Sequence, residues 1–228
     1  MNTLLLWLAA IAGPVATTPT SVAPSEAPSD AWVDGSLLLL QDSNSIVSAV
    51  TDSRITHVAM LFHPPGASAP LVFEATPARV RQVSLPDYLR EIAVLNERRR
   101  QPMSVFVMTP RRDFSTDQVE SMLTYARHSI GRPYSVKGYV RDRSAEGVHC
   151  SEFASRVLCA TERYAFHNHH RITPVRLRHL LRFSYRAPVS LQLPAAPKQS
   201  WCAETADCWG DFCGWCGWAC VESWRFRR

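Results

Sequence analysis

One short stretch of the chain holds the residue types from which a nucleophilic sulfur site can be built. It runs from Gly147 to Ala154 and reads Gly-Val-His-Cys-Ser-Glu-Phe-Ala. Apolar residues recur at helical spacing after Cys150, and Glu152 suits the positive end of a helix dipole, so a helix is predicted to begin here. Backbone N–H groups in the first turn of a helix stabilise a thiolate. Cys150 is therefore a candidate nucleophile, although most single cysteines are small buried hydrophobic residues.

A thiol nucleophile needs a base, and the base needs a partner that orients it. His57 opens an apolar segment, Thr-His-Val-Ala-Met-Leu, where a solvated residue would be out of place. Glu74 lies in the next apolar segment. If Ala59 faces Glu74 in a hairpin, His57 and Glu74 are diagonal neighbours on one face of the sheet. A register shifted by one residue would separate them, leaving a core histidine bonded to a backbone carbonyl and a solvated carboxylate.

Sequence patterns also predict the elements that would position these side chains. Strands are predicted over 36–41, 55–62, 71–75, 80–85 and 104–108. Helices are predicted over 45–51, 86–95 and 116–130, then from Cys150 onward, and over 175–181. The helical stripes are expected to bury Leu95 and Ile130, and Ser115 with Gln118 has the pattern of a capping box. Strands in the first half and helices in the second predict an α+β fold, with an antiparallel sheet packed against helices.

Composition indicates one folded domain, since 46% of the 228 residues are hydrophobic. Basic residues outnumber acidic ones by 25 to 20, but the arginines are scattered and no nucleic-acid module is visible, so binding to nucleic acid is not predicted. Between Arg171 and Arg186, arginines surround leucines and could form a basic amphipathic helix in peripheral contact with a membrane. A solvated helix face is the favoured interpretation of that segment.

The two ends of the chain differ from the middle. Residues 1–16 have the apolar run and small residues of a signal peptide, although no Lys or Arg precedes the run, and 17–31 have the composition of a disordered linker. A catalytic domain is predicted over 32–186, followed by a linker over 187–200. The tail over 201–228 holds five of the seven cysteines, for which disulfides are the default in an exported protein. Its single CxxC pair suggests redox chemistry or half a zinc site, but without a second CxxC or a histidine in the tail the support for zinc is weak. The segment 167–170, with three histidines, is interpreted as a polar turn, and no metal or cofactor is predicted.

Five segments occur in a fixed order along the chain. They are Ser-Leu-Leu-Leu-Leu from Ser36, Thr-His-Val-Ala-Met from Thr56, Val-Phe-Glu-Ala from Val72, Gly-Arg-Pro-Tyr from Gly131 and His-Cys-Ser-Glu-Phe from His149. Together they resemble the permuted papain-like amidases of the YiiX/YaeF type, within the wider NlpC/P60 superfamily. Histidine, then carboxylate, then cysteine is the order that marks the permuted branch. The resemblance covers about residues 34–183 and implies the permuted papain-like fold.

The resemblance also implies roles for individual residues. Cys150 would be the nucleophile, His57 the general base and then the acid, and Glu74 the residue that orients the imidazole, while Tyr134 would line the cleft. The implied activity is cleavage of an amide or ester bond through a thioester, in an exported protein with a peptide, amide or lipid-linked substrate of the cell envelope. A lipid-directed thiol acyltransferase and a catalytically idle envelope binding module are the alternatives, and the intact residue set argues against the latter.

Overall fold

A computed structural model describes residues 32–43, 47–48, 52–135 and 146–194. Its strands are β1 (Ser36–Gln41), β2 (Ile55–Phe62), β3 (Leu71–Ala75), β4 (Val80–Ser84), β5 (Ser104–Met108) and β6 (Val189–Leu191). They form one sheet in the order β4-β3-β2-β1-β5-β6, and every neighbouring pair is antiparallel. The predicted antiparallel sheet is therefore confirmed, and β1, β2, β3 and β5 have the predicted bounds.

The helices of this part of the chain are α1 (Leu85–Glu97), α2 (Thr116–His128), α3 (Cys150–Cys159) and α4 (Pro174–Leu181), with a 3₁₀ turn over His169–Arg171. Side-chain oxygens satisfy free N–H groups where α1, α2 and α4 begin, at Ser84, Ser115 and Thr173. The capping box of Ser115 and Gln118 is confirmed, because the Gln118 side chain also accepts the Ser115 N–H. These local signals fix where the helices start.

Alternate residues along the strands build two cores, one on each face of the sheet. On one face, Leu38, Leu40, Ala59 and Val72 pack with buried side chains of α1. On the other face, Leu37, Leu39, Val58, Met60 and Phe73 pack with buried side chains of α2, α3 and α4. A strand residue's face is therefore decided by its parity, as expected for a sheet covered on both sides.

Three sequence-based expectations differ from the structure. Leu95 and Ile130, expected in buried helical stripes, are 45% and 47% exposed, because they lie in or beyond the last turns of their helices. Strand β6 lies inside the stretch predicted as a linker over 187–200, and its Leu191 is buried against β5. The ordered domain therefore extends past residue 186.

Several other predictions fall wholly or partly outside the described residues. These are the signal peptide over 1–16, the linker over 17–31, most of the helix over 45–51 and the tail over 201–228. Residues 47 and 48 of the predicted short helix are helical. Among the described helices, none combines the length and the apolar character needed to cross a bilayer.

Candidate active site

The hairpin of β2 and β3 brings an imidazole and a carboxylate into contact. Its ladder pairs Met60 with Phe73, and the same register places Ala59 opposite Glu74. His57 and Glu74 are then diagonal neighbours on one face, and His57 Nε2 donates to Glu74 Oε2 at 2.7 Å. Both side chains are shielded, with 15% of the histidine side chain and 5% of the carboxylate side chain exposed. The juxtaposition expected from strand alternation is thus the one observed.

Two irregularities of the sheet surround His57. A bulge at the start of β2 lets Leu40 of β1 pair with His57 while Gln41 pairs with Ile55. The bulge sends Ile55 to the face of α2, α3 and α4, whereas His57 stays on the face of α1. In addition, the β2–β3 ladder ends at Met60 and Phe73, so no ladder bonds join the two strands beside His57 and Glu74. The sheet is open at the position where these two side chains meet.

Cys150 approaches this opening from the opposite face of the sheet. It is the first residue of α3, is 3% exposed, and belongs to the core that contains Phe73 and Ala75 of β3. An ionised carboxylate can accept a hydrogen bond but cannot donate one. The bond to Glu74 therefore uses the Nε2–H of His57 and leaves the Nδ1 of the ring for the thiol. The imidazole of His57 interacts with the Cys150 thiol, and each group shifts the pKa of the other. The imidazole thus links the nucleophile on one face to the carboxylate on the other.

The charges of the site shift the pKa values of the thiol and the imidazole in opposite directions. Burial alone would raise the pKa of Cys150, but the charges and hydrogen bonds of His57 and His149 lower it to about 5. Burial alone would lower the pKa of His57, but the Cys150 thiolate and the Glu74 carboxylate raise it to about 10. Because each ionic form stabilises the other, the two values belong to the pair. Between about pH 5 and about pH 10, Cys150 and His57 therefore exist as thiolate and imidazolium.

A second ion pair holds the carboxylate from behind. Arg81 of β4 lies directly opposite Glu74, and its Nε donates to Glu74 Oε1 at 2.8 Å. The same guanidinium reaches Glu91 of α1 at 2.5 Å. Burial would raise the pKa of Glu74, and His57 and Arg81 together lower it below its usual value. Sequence reasoning missed Arg81 and Glu91, although the short β3–β4 turn and the opposite charges at facing positions were a usable signal for Arg81.

His149 has a structural position that sequence reasoning did not give it. It is the N-cap of α3, and its side chain is buried. Its Nδ1 accepts the Glu152 N–H at 3.3 Å, and its Nε2 donates to the His170 carbonyl at 3.0 Å. Burial opposes protonation, yet interaction with Cys150 raises the pKa of His149. Two imidazoles therefore adjoin the thiol.

The segment before α3 is held against the Gly-Arg-Pro-Tyr segment. Tyr134 and Val148 form a β-bridge, and the Val148 N–H donates to the Pro133 carbonyl at 3.0 Å. Gly147 permits this approach, because a Cβ there would lie 2.6 Å from Ser135 Cβ and 2.7 Å from the Pro133 oxygen. Residues 133–135 thereby form a wall beside the N terminus of α3.

A cavity of about 220 Å³ adjoins His57 and Glu74 on the face of α1. Tyr134, predicted to line a cleft, forms part of its wall, as do Tyr88 and Ile92 of α1. The Tyr88 hydroxyl is buried and has no hydrogen-bond partner among the described residues. In the same part of the chain, no group of three or more His, Cys, Asp or Glu side chains is arranged to hold a metal ion. The cavity is the space next to the imidazole that a small group could enter.

Imidazole, carboxylate and thiol follow one another along the chain in an order opposite to that of ordinary papain-like proteins. The fold and this order define a permuted papain-like protein. The chain belongs to the family of permuted papain-like amidases, YaeF/YiiX or C92, whose model matches residues 32–173. The expectation from the sequence motifs is confirmed for the family and the fold, and the family is one of papain-like amidases.

One solved structure similar to this chain is the crystal structure of the metalloprotein YiiX from Escherichia coli O157:H7. The two proteins are 18% identical, with a TM-score of 0.46 over 72% of this chain and 90% of that one. No curated protein matches the sequence.

Proposed function

We propose that this protein hydrolyses an amide or ester bond through a Cys150–His57–Glu74 triad and a thioester intermediate. The observation that carries the proposal is the position of His57, which is bonded to Glu74 at 2.7 Å and interacts electrostatically with the Cys150 thiol. A nucleophile, a base and a group that orients the base are the three parts that thiol acyl transfer requires.

The first half of the reaction forms the thioester. The Cys150 thiolate attacks the substrate carbonyl, and the imidazolium of His57 gives its proton to the departing amine or alcohol as the carbon–nitrogen or carbon–oxygen bond breaks. The first N–H groups of a helix have no partner within it, so those of Cys150 and Ser151 at the start of α3 can stabilise the oxyanion that develops on the carbonyl oxygen. The thioester and the protonated leaving group are the products of this half.

The second half returns the enzyme to its starting state. His57, now neutral, takes a proton from water as the water oxygen attacks the thioester carbonyl. The bond between carbon and sulfur breaks, the acid leaves, and the thiolate and imidazolium are restored. Glu74 remains ionised throughout and stabilises the imidazolium, which is the role of the orienting carboxylate in such triads.

The proposal includes export of the protein and a peptide, amide or lipid-linked substrate in the cell envelope. The signal-like composition of residues 1–16 supports export, and the amidase family supports an amide substrate. Sequencing the N terminus of protein recovered from the exported fraction tests export. A chain that keeps residues 1–16 and stays with the cytoplasmic fraction would contradict this part of the proposal.

The experiment that tests the chemistry is capture of the acyl-enzyme. The full chain is mixed with a p-nitrophenyl ester or an acyl anilide, quenched in acid and examined by intact mass and peptide mapping. We expect one acyl group, on Cys150 and removable by hydroxylamine, and none on the Cys150→Ser variant. Cys159→Ser is the matched control, since it changes the other cysteine of the same helix. Acylation of a residue other than Cys150, with turnover retained in Cys150→Ser, would refute the proposal.

The same experiment distinguishes hydrolysis from acyl transfer. With an added amine or lipid acceptor, a hydrolase gives mostly free acid, whereas an acyltransferase gives mostly acylated acceptor. Preference for the acceptor at low acceptor concentration would replace hydrolase by transferase and leave the triad assignment intact.

A further inference from the structure

The chain from Arg163 to Pro194 has a strongly one-sided charge. It contains six arginines and four histidines but no aspartate or glutamate. Charge of one sign over 32 residues produces a local potential that attracts polyanions and anionic surfaces.

Helix α4 separates this segment into a buried side and an exposed side. Leu177 and Leu181 are buried against the sheet. The exposed side carries two apolar residues among four arginines. We call these six residues the α4 surface: Arg176, Arg178, Leu180, Arg182, Phe183 and Arg186. Phe183 is 76% exposed and Leu180 is 42% exposed, so the apolar residues project into solvent.

The exposed ring of Phe183 is held on a rigid turn. The N–H groups of Ser184 and Tyr185 both donate to the Leu181 carbonyl, at 2.9 and 2.8 Å, which continues the helical turn past the end of α4. Tyr185 is fully buried, and its hydroxyl donates to the Gly35 carbonyl at 2.8 Å. Phe183 is therefore presented outward by a turn that is fixed to the core.

The arginines of the α4 surface are not neutralised by carboxylates of the part of the chain that the structure describes. None of Arg176, Arg178, Arg182 and Arg186 forms an ion pair with a carboxylate of the described residues. The guanidinium of Arg182 lies 4.3 Å from the centre of the Phe183 ring, so charge and apolar surface are adjacent. The neighbouring loop, bonded to Ser184 and Tyr185 through Arg111, adds two arginines and one aspartate.

We propose that the α4 surface docks the protein on a lipid bilayer that carries anionic headgroups, with Phe183 and Leu180 inserted at the headgroup level. Long basic side chains around a projecting apolar tip suit a layer that is anionic outside and apolar beneath. A folded nucleic acid or a soluble polyanion would use the arginines but offers no apolar layer for Phe183. The proposal concerns a surface outside the candidate active site and does not depend on the proposed reaction.

The test is co-sedimentation of the full chain with vesicles. One set contains phosphatidylglycerol and phosphatidylcholine, and the other contains phosphatidylcholine alone. We expect binding to the first set that weakens as salt is added, and little binding to the second. Arg178→Gln and Arg182→Gln should each lower the partition coefficient about fivefold, because each juxtamembrane arginine contributes about 1 kcal/mol. Phe183→Ser should lower it roughly tenfold through lost apolar contact.

A matched control exists at the end of α2. Arg127 and Ile130 are an exposed basic residue and an exposed apolar residue in a similar position on another helix. Arg127→Gln and Ile130→Ser should leave vesicle binding unchanged. All five substitutions lie at exposed positions, and thermal unfolding checks that each variant remains folded.

The remaining outcomes would each overturn the proposal. If Arg127→Gln and Ile130→Ser weakened vesicle binding as much as the variants of the α4 surface do, the effect would be nonspecific. Binding that survives Phe183→Ser together with Arg178→Gln and Arg182→Gln would assign membrane contact to another part of the chain. Equal affinity for RNA and for vesicles, with no effect of Phe183→Ser, would make the surface a general polyanion site.

Discussion

The two cysteines at the ends of helix α3 have the same side chain and different surroundings. Cys150 begins the helix, is 3% exposed, and has its pKa lowered by His57 and His149. Cys159 ends the helix, is half-buried, and its sulfur accepts the Phe166 N–H at 3.4 Å. N–H groups gather at the first end of a helix and carbonyl oxygens at the last, so only the first end stabilises a negative sulfur. Position in the helix and the neighbouring imidazoles, rather than residue type, distinguish the candidate nucleophile.

The largest expected difference between the two cysteines is in turnover. Cys150→Ser should lower kcat on a model amide or ester by roughly a thousandfold to a millionfold, and His57→Ala by a similar factor, because the two groups act as a unit. Cys159→Ser should keep kcat within about twofold of the unchanged protein. Steady-state kinetics measure all three variants. Equal losses for the two serine variants would remove the distinction.

The next largest loss of kcat is expected from a change of Glu74, the carboxylate bonded to the His57 imidazole. Glu74→Gln keeps the size of the side chain but removes the charge that stabilises the His57 imidazolium. We expect kcat to fall by roughly a hundredfold to ten-thousandfold, as for orienting carboxylates in related triads. Its thiol should also need a higher pH to react. Unchanged kcat and unchanged thiol reactivity in Glu74→Gln would exclude the carboxylate from the site.

Alkylation compares the two thiols directly. The pKa of Cys150 is lowered to about 5, so its thiolate is present above that pH and is lost as pH falls through it. At pH 6 nearly all of Cys150 is thiolate, against under about 1% of an ordinary thiol, but a low-pKa thiolate is also less nucleophilic. Iodoacetamide labelling followed by peptide mapping should show Cys150 reacting roughly tenfold faster than Cys159.

Two further results belong to the same labelling experiment. His57→Ala should slow the reaction of Cys150 at pH 6, because it removes the cation that stabilises the thiolate. Turnover should rise with pH through about 5 and fall through about 10, as His57 loses its proton. Faster labelling of Cys159, or a Cys150 rate that rises only above pH 8, would contradict the ion pair.

The smallest effect concerns Arg81. Arg81→Met leaves the buried Glu74 carboxylate with His57 alone, so the pKa of Glu74 should rise and kcat should fall about tenfold, the equivalent of one pKa unit. Glu91→Gln is the matched control, because it removes the outer partner of Arg81 and keeps the bond to Glu74. We expect a larger loss of kcat for Arg81→Met than for Glu91→Gln. The rise of turnover on the acidic side of the pH profile should also shift more for Arg81→Met. The reverse order would show that Arg81 acts through α1 rather than through Glu74.

The sheet and the start of α3 could be predicted because their signals are local. Alternation in β2 and β3 and the apolar run of β1 give the strand bounds to the residue. The eight residues between β2 and β3 close a hairpin whose register, together with strand parity, places His57 and Glu74 on one face. Cys150 was located by the apolar stripe that follows it and by Glu152 in its first turn.

The parts that were missed depend on contacts that sequence spacing does not encode. Glu91 joins the site only because α1 packs beside β4 and brings its side chain to Arg81. The buried N-cap position of His149 was missed because it depends on the carbonyl of His170, 21 residues later. Strand β6 is three residues long and follows a proline, so its pairing with β5 could not be distinguished from a linker.

The contact permitted by Gly147 has a consequence for how the family can diversify. The Ser135 N–H donates to the Val148 carbonyl at 3.3 Å, so the chain on either side of the intervening stretch is held together. Loop-closure entropy grows only slowly with length, and an insertion between two joined ends changes it little. The stretch between Ser135 and Glu146 can therefore change in length and composition while the turn that carries Cys150 keeps its place. The position of the nucleophile is therefore independent of the length of that stretch.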